Sequence, residues 1–289
     1  MTVIALFASA LAASAALVGF LRRWAVRKAI LDHPNERSSH DVPKPRGGGM
    51  AIVLITLAGS AYWMTPRAAV AAAAALVIAA VSFADDLRHL PATLRLAVQI
   101  LAALAVALLF VPLVWVPLAV VWIVGLTNAY NFMDGIDGIA GGQAVVAGLA
   151  WGWLGTAAGQ PLPAVIGLLI AGSSAGFLLH NWQPARIFMG DVGSAFLGFT
   201  FASLAVMAWP NLKLAAAGVL VVWPFVADAA FTFVRRARRR ERLMEAHKSH
   251  VYQRLNQRGL SHAAVASIYI ALAAAGAAAA IVYLERATG

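Results

Sequence analysis

Apolar residues in this chain come in long continuous runs separated by short polar interruptions, not in the alternation that marks strands. The first run is MTVIALFASALAASAALVGF; others lie near 47–64, 68–84, 94–111, 113–127, 141–157, 163–180, 192–209, 213–231 and 263–284. Several exceed the roughly 17 residues an α-helix needs to cross a hydrocarbon core of about 30 Å. Continuous runs favour spanning helices over a barrel. The pattern predicts an all-α polytopic membrane protein of about ten transmembrane helices, forming one integral-membrane domain over residues 1–289. The first run contains small-residue triplets like those of a signal-peptide cleavage site. Its positive charges, Arg22 and Arg23, follow the apolar stretch instead of preceding it, so an uncleaved first helix with its N-terminus outside is expected.

Ten spans place alternate loops on opposite sides, and charge separates the two. One set, covering 22–46, 85–95, 128–142, 181–191 and 232–262, carries 19 Lys and Arg; the other set holds Arg67, Lys213 and Arg286. The richer side is expected to be cytoplasmic, with both termini outward. The net charge of +10 is then a topology signal with some affinity for anionic lipid or phosphate, and it does not call for nucleic acid. Composition agrees: 62% of residues are hydrophobic and only 12% charged, against about 25% in soluble domains, and mean hydropathy is +0.79. With no cysteine, disulfide and thiolate chemistry are excluded.

The acidic residues follow the same division. Asp32, Glu36, Asp41, Asp85, Asp86, Asp134, Asp137, Asp191, Glu241 and Glu245 fall on the basic side, Asp228 within a helix near it, and Glu285 opposite. All seven histidines, His33, His40, His89, His180, His247, His250 and His262, share that side. An active site is therefore expected at the cytoplasmic face.

Four clusters stand out there. FADD ends a helix with adjacent carboxylates, Asp85 and Asp86. Either this is a solvated helix end, or a cation offsets two like charges placed at the negative end of the helix dipole; such carboxylates suit Mg2+. In NAYNFMDGIDGIAGG, residues 128–142, Asn128, Asn131, Asp134 and Asp137 recur every third residue. In a helix they would form one ridge, and the interleaved glycines admit a sharp turn or a close ligand. In HNWQPARIFMGDVGSAFLG, residues 180–198, Asp191 precedes an apolar helix and suits either an N-cap or a metal ligand. Asn181 and Phe188 add an amide and a ring able to stack on a base. In the last basic loop, Arg235–Arg240 serve as a positive-inside anchor, while His247, His250 and Arg254, at i, i+3 and i+7, would share a helical face able to hold phosphate or sugar. Zinc on the two histidines lacks a third ligand at a fitting spacing. HDVPKPRGGGM, residues 40–50, offers Lys44, Arg46 and a glycine triplet to phosphate, and Asp228 is a candidate because intramembrane carboxylates usually have a function.

FADD, NxxNxxDGIDGIAGG, the stretch from Asn181 through FMGDVGS and a histidine-bearing basic loop occur in that order, each at a helix end. The chain resembles the polyprenyl-phosphate N-acetylhexosamine-1-phosphate transferases, the family of the MraY, WecA and TagO enzymes, over about residues 32–262. The resemblance implies a ten-helix enzyme of the bacterial inner membrane, using Mg2+ (Mn2+ as an alternative), a UDP-HexNAc and undecaprenyl phosphate, and releasing UMP. It places Asp85 and Asp86 at the pair acting on the lipid phosphate, Asp191 at the metal, with Asp85 as a further ligand, and Asn128 and Asn131 in the NxxNxxDGxDG site. Asp134, Asp137, Asn181 and Phe188 fall at uridine-pocket positions. HKSH stands where the MraY branch has three consecutive histidines, which argues against a peptide-sugar substrate. HKSHVYQRL is instead similar to the WbpL-type O-antigen branch, with 6-deoxy-HexNAc donors such as FucNAc or QuiNAc beside GlcNAc. Lys44 occupies a position that is usually Thr in the TagO pattern. Direct attack by the lipid phosphate is the expected route, with a covalent aspartyl-phosphate as the alternative. Partners are then the donor, the polyprenyl phosphate and membrane lipids, and a homodimer is admitted. A transporter is the rival class, but it would place its polar residues near the bilayer midplane in broken helices.

Overall fold

The computed structural model describes residues 2–32, 34, 42–241 and 247–288. His33, Glu36, His40, Asp41 and Glu245, counted above on the basic side, lie outside the described residues. Among the described residues the fold is all-α apart from one two-residue antiparallel pair, β1 (Leu31–Asp32) with β2 (Lys44–Pro45). The helices are α1 (Val3–Arg27), α2 (Met50–Ser60), α3 (Pro66–Arg88), α4 (Ala92–Phe110), α5 (Val116–Phe132) and α6 (Ile139–Ala157), then α7 (Pro161–Asn181), α8 (Asp191–Met207), α9 (Leu212–Val221), α10 (Trp223–Arg238), α11 (Val251–Gln257) and α12 (His262–Thr288).

Every predicted run contains helix, with two differences of form. The run over 213–231 is two helices, α9 and α10, bent by 69°. Pro224 lies in the first turn of α10 and cannot donate to the Leu220 carbonyl one turn back. The bend is held from outside: Gln143 of α6 donates to the Val221 carbonyl at 2.9 Å, and the Trp223 indole donates to the Leu272 carbonyl of α12 at 3.0 Å. The second difference is α11, a short helix inside the basic loop. By length and composition, six helices among the described residues can cross a membrane, seven if the bent pair is one span, so the chain is a multi-pass membrane protein. The helix formed by α2 and its terminal turn is short, as is α8; α6 is continuous but carries Gln143 and two tryptophans among its apolar residues. Much of α6 and nearly all of α8 are enclosed by other helices.

Close approach of α6 and α7 is a consequence of glycine. A Cβ on Gly148 would lie 2.5 Å from the Gly167 carbonyl oxygen and 2.7 Å from the Ala171 nitrogen, and backbone atoms have nowhere to go. Gly148→Leu is expected to destabilise the protein by at least the ~1–3 kcal/mol typical of overpacking, seen as a lower thermal unfolding midpoint in detergent. Gly125→Ala, in the middle of α5 where a Cβ would meet nothing within 4 Å, is expected to leave the midpoint unchanged or raise it slightly. An unaltered midpoint for Gly148→Leu would contradict this packing.

Candidate active site

The polar residues singled out from the sequence gather at one end of the bundle. The C-terminal ends of α3, α5 and α7 meet there with the N-terminal ends of α8 and α12 and with the 42–49 segment.

The two adjacent aspartates at the end of α3 do different things. Asp86 accepts the N–H groups of Asp191 and Val192, each at 3.2 Å. It therefore caps α8 from another helix. Gly190 precedes α8 with φ of +77°, and a Cβ there would stand 2.8 Å from the Asp86 carboxylate, so only glycine brings the two together. The expected N-cap role of Asp191 is thus corrected: Asp191 is the first residue of α8, Gly190 occupies the cap position, and Asp86 supplies the hydrogen bonds. Arg46 lies 3.6 Å from Asp86 and 3.8 Å from Asp32, placing its guanidinium beside the cap. Asp85 accepts the Leu90 N–H at 2.6 Å and pairs with Arg95 of α4, whose guanidinium also stands 3.6 Å from Asp191. Asn131 lies beside Asp191, its amide favouring the charged carboxylate. Asp85, Asp191, Asn131 and Arg95 therefore form one cluster, uniting the two residues expected at the metal.

The predicted ridge of Asn128, Asn131, Asp134 and Asp137 does not form, because α5 ends at Phe132 and the two aspartates sit in the turn that follows. Asn128 instead faces α4, donating to Gln99 at 2.6 Å and to the Val124 carbonyl at 2.8 Å. Burial, together with the carboxylates of Asp191, Asp86 and Asp137, pushes the Asp134 carboxyl well above its usual range. Asp137 behaves oppositely: burial works against its charge, but the His262 ring, the Ala185 N–H and the Lys44 ammonium outweigh it and hold its pKa low. The Ala185 bond is 2.9 Å and Lys44 is 3.8 Å away. Asn181 is buried and spent on both sides, accepting from the Gly138 N–H and donating to the Ile187 carbonyl, each at 3.0 Å. It braces the DGIDG turn against the 183–188 loop. Phe188 is half-buried beneath the Lys44 ammonium, 5.2 Å from the ring centroid.

Two of the three amides of the glycine triplet are already taken. The N–H groups of Gly48 and Gly49 go to the Phe188 and Met189 carbonyls at 3.0 and 2.9 Å, locking this segment to the Asp191 loop. In the basic loop, the predicted helical face is also corrected: α11 begins at Val251, so His247 lies outside the helix and His250 caps it. The two rings nonetheless stack, 5.0 Å apart. Burial, with Arg236 and His250 near, brings His247 down to about 4. It is neutral at pH 7 and is a hydrogen-bonding group in this structure, so the fixed charge on this loop belongs to residues such as Arg254. Tyr252 ties α11 to the site by donating to the Phe132 carbonyl at 2.9 Å. Gly135 is glycine because an added Cβ would stand 2.1 Å from that tyrosine oxygen.

Sequence reading passed over Arg95, Gln99 and His262 as site residues. The signal for the first two was present: in α4 they are the lone charged side chain and, four residues on, a lone amide in an otherwise apolar helix. His262 touches Asp137 across 125 residues of chain, which no spacing reveals.

Among the described residues, no three His, Asp or Glu side chains converge as a ready-made metal cage. Mg2+ does not require one, since it typically takes one or two carboxylates and completes its shell with water and phosphate. The carboxylates of Asp85, Asp86, Asp134 and Asp191 acting on one another are a hard-oxygen donor set with surplus negative charge, and that chemistry fits such an ion.

The bundle of membrane helices thus carries a carboxylate-rich site at one end, framed by arginines and a histidine loop. Residues 68–209 match the family described as Glycosyl transferase family 4. The chain is 30% identical to a probable undecaprenyl-phosphate N-acetylglucosaminyl 1-phosphate transferase of Bacillus subtilis, over 84% of this chain and 74% of that protein. It is 32% identical to a decaprenyl-phosphate N-acetylglucosaminephosphotransferase of Mycobacterium leprae, over 94% and 81%. A shorter match, 38% identical over 36% of this chain, is to a phospho-N-acetylmuramoyl-pentapeptide-transferase of Lactiplantibacillus plantarum, of which it covers 32%. The protein belongs to the glycosyl transferase 4 family, the MraY, WecA and TagO group.

Proposed function

We propose that this protein transfers a HexNAc-1-phosphate from a UDP-sugar to undecaprenyl phosphate, giving undecaprenyl-diphosphate-sugar and UMP, at the cytoplasmic face of a bacterial inner membrane. The observation that carries this reading is the Asp85–Arg95–Asp191–Asn131 cluster, where carboxylates and a cation meet at the mouth of the bundle. The topology that goes with it has ten spans, with α9 and α10 as one, and both termini outside.

The chemical difficulty is electrostatic: an anionic phosphate must approach an anionic diphosphate. Asp191 and Asp85 would hold Mg2+, with Asp134 alongside; when bound, the ion supplies charge neutralisation for the diphosphate. Arg95 keeps the two carboxylates at a fixed separation and offers a positive charge of its own. Arg46 steadies the α8 N-terminus through Asp86, whose carboxylate already occupies that helix end. The lipid phosphate, with a second pKa near 6, is already largely dianionic at neutral pH. Asp85 therefore orients the nucleophile more than it deprotonates it. Asp137, Asn181 and Phe188 form the uridine side, where the braced DGIDG turn gives the base a fixed wall. GlcNAc is the first donor to try, since it is the sugar named for the Bacillus and Mycobacterium relatives; 6-deoxy-HexNAc donors complete the panel because of HKSHVYQRL.

The test is UMP release by purified protein in detergent. Release is expected only with both undecaprenyl phosphate and Mg2+ present, and EDTA is expected to abolish it reversibly. Release without lipid, or unaffected by EDTA, would contradict the reading.

A further inference from the structure

Asp228 has no place in the transfer chemistry described so far, yet it is among the most heavily hydrogen-bonded side chains in the protein. It is 4% exposed and accepts from five donors: the Thr232 hydroxyl at 3.2 Å, the Val251 and Tyr252 N–H groups at 2.9 and 3.1 Å, the Tyr269 hydroxyl, and Nδ1 of His250 at 3.1 Å. These donors come from α10 itself, from the start of α11 and from α12. A carboxylate satisfied to this degree is not waiting for a ligand. It is the point at which the histidine loop is fastened to the bundle.

The consequence lies in the imidazole. An ionised carboxylate only accepts hydrogen bonds, so the ring nitrogen facing it must carry the hydrogen. That fixes the His250 tautomer with Nδ1 protonated and leaves Nε2 for another partner, the same logic by which a carboxylate orients a catalytic or metal-bound histidine elsewhere. Among the described residues Nε2 has no hydrogen-bond partner. The ring stacks on His247 at 5.0 Å and lies 6.2 Å from the ring of Phe132, the last residue of α5 and the one after Asn131. The Tyr252 hydroxyl on the Phe132 carbonyl fixes the same approach from the next residue but one.

We propose that Asp228 is a positioning residue for the transfer reaction: it anchors the start of α11 and holds Nδ1 of His250 as the donor toward itself, so that Nε2 is the nitrogen left to take up a proton and donate to the substrate phosphates. The role of His250 in transfer rests on the function proposed above; the contact itself does not. The 69° bend between α9 and α10 acquires a purpose on this view, because it aims Asp228 at the loop.

Two measurements test it. In protein labelled with 15N-histidine, with His250→Gln identifying the resonance by its loss, His250 is expected to show a protonated Nδ1, and Asp228→Asn is expected to disturb that tautomer. In UMP-release assays, Asp228→Asn is expected to lower kcat by about 10–100-fold, the usual range for outer-shell partners of a functional histidine, with donor KM little changed. In the His250→Gln background the same substitution is expected to have almost no further effect, as for two residues acting as one unit. An unprotonated Nδ1 in the wild type would overturn the proposal, and so would an equal loss of kcat in both backgrounds. If Asp228→Asn does not fold, the wild-type nitrogen spectrum alone decides. If the wild type releases no UMP from any donor, the transfer reading fails while the spectrum still decides whether Asp228 sets the tautomer.

Discussion

Asp191→Asn is expected to reduce UMP release by about 10³-fold or more while leaving the protein folded. Losing a carboxylate that neutralises the diphosphate and supports a divalent ion removes several kcal/mol of transition-state stabilisation, and ~4 kcal/mol corresponds to about a thousandfold. The fold should survive because the Asp191 side chain caps nothing; Gly190 and Asp86 form the start of α8. An asparagine can still meet Asn131 and Arg95. Initial rates measured beside thermal unfolding midpoints check both halves of the expectation. A variant with near-normal rate would remove Asp191 from the chemistry.

Asp86→Ala should fail differently. Its carboxylate is 2% exposed and accepts two N–H groups of α8 with Arg46 close by. Taking away one partner of a buried charged set costs about 3–5 kcal/mol, and the one-fifth exposure of Arg46 puts the expected loss near the lower end. The unfolding midpoint should drop clearly, and activity should fall because Asp191, the next residue along, is no longer held in place. Stability equal to wild type with activity lost would assign Asp86 to chemistry instead of capping. The adjacent pair in FADD, alike in sequence, would thus be separated by two simple variants.

What the sequence made legible, and what it hid, follows from the range of the forces involved. Membrane helices are set by local composition, so every apolar run contains helix, and the collection of polar residues at one end follows from loop alternation. The bend at Val222 was harder to see: Pro224 hints at it, but its angle depends on Gln143 and Trp223 reaching other helices. Asn128, Asn131, Asp134 and Asp137 look like one ridge only while helix is assumed past Phe132; Gly135 and Gly138, with Tyr252 and Trp182 against them, require a turn. Asn181 and Asp86 look free in a sequence, whereas in the fold each also holds the backbone of another segment, Gly138 and Ile187 for Asn181, Asp191 and Val192 for Asp86. Long-range pairs such as Arg95 with Asp191 and His250 with Asp228 depend on helix packing, and spacing cannot supply them.

The central claim is that a sugar and its phosphate move together from nucleotide to lipid. Its most direct test uses UDP-GlcNAc, then the other UDP-HexNAc donors, labelled with 32P in the β-phosphate, with purified protein, undecaprenyl phosphate and Mg2+. Label is expected to enter the organic-extractable lipid in a one-to-one ratio with UMP formed. Label that remained wholly in the aqueous phase while UMP appeared, or a lipid product bearing sugar without labelled phosphate, would contradict it.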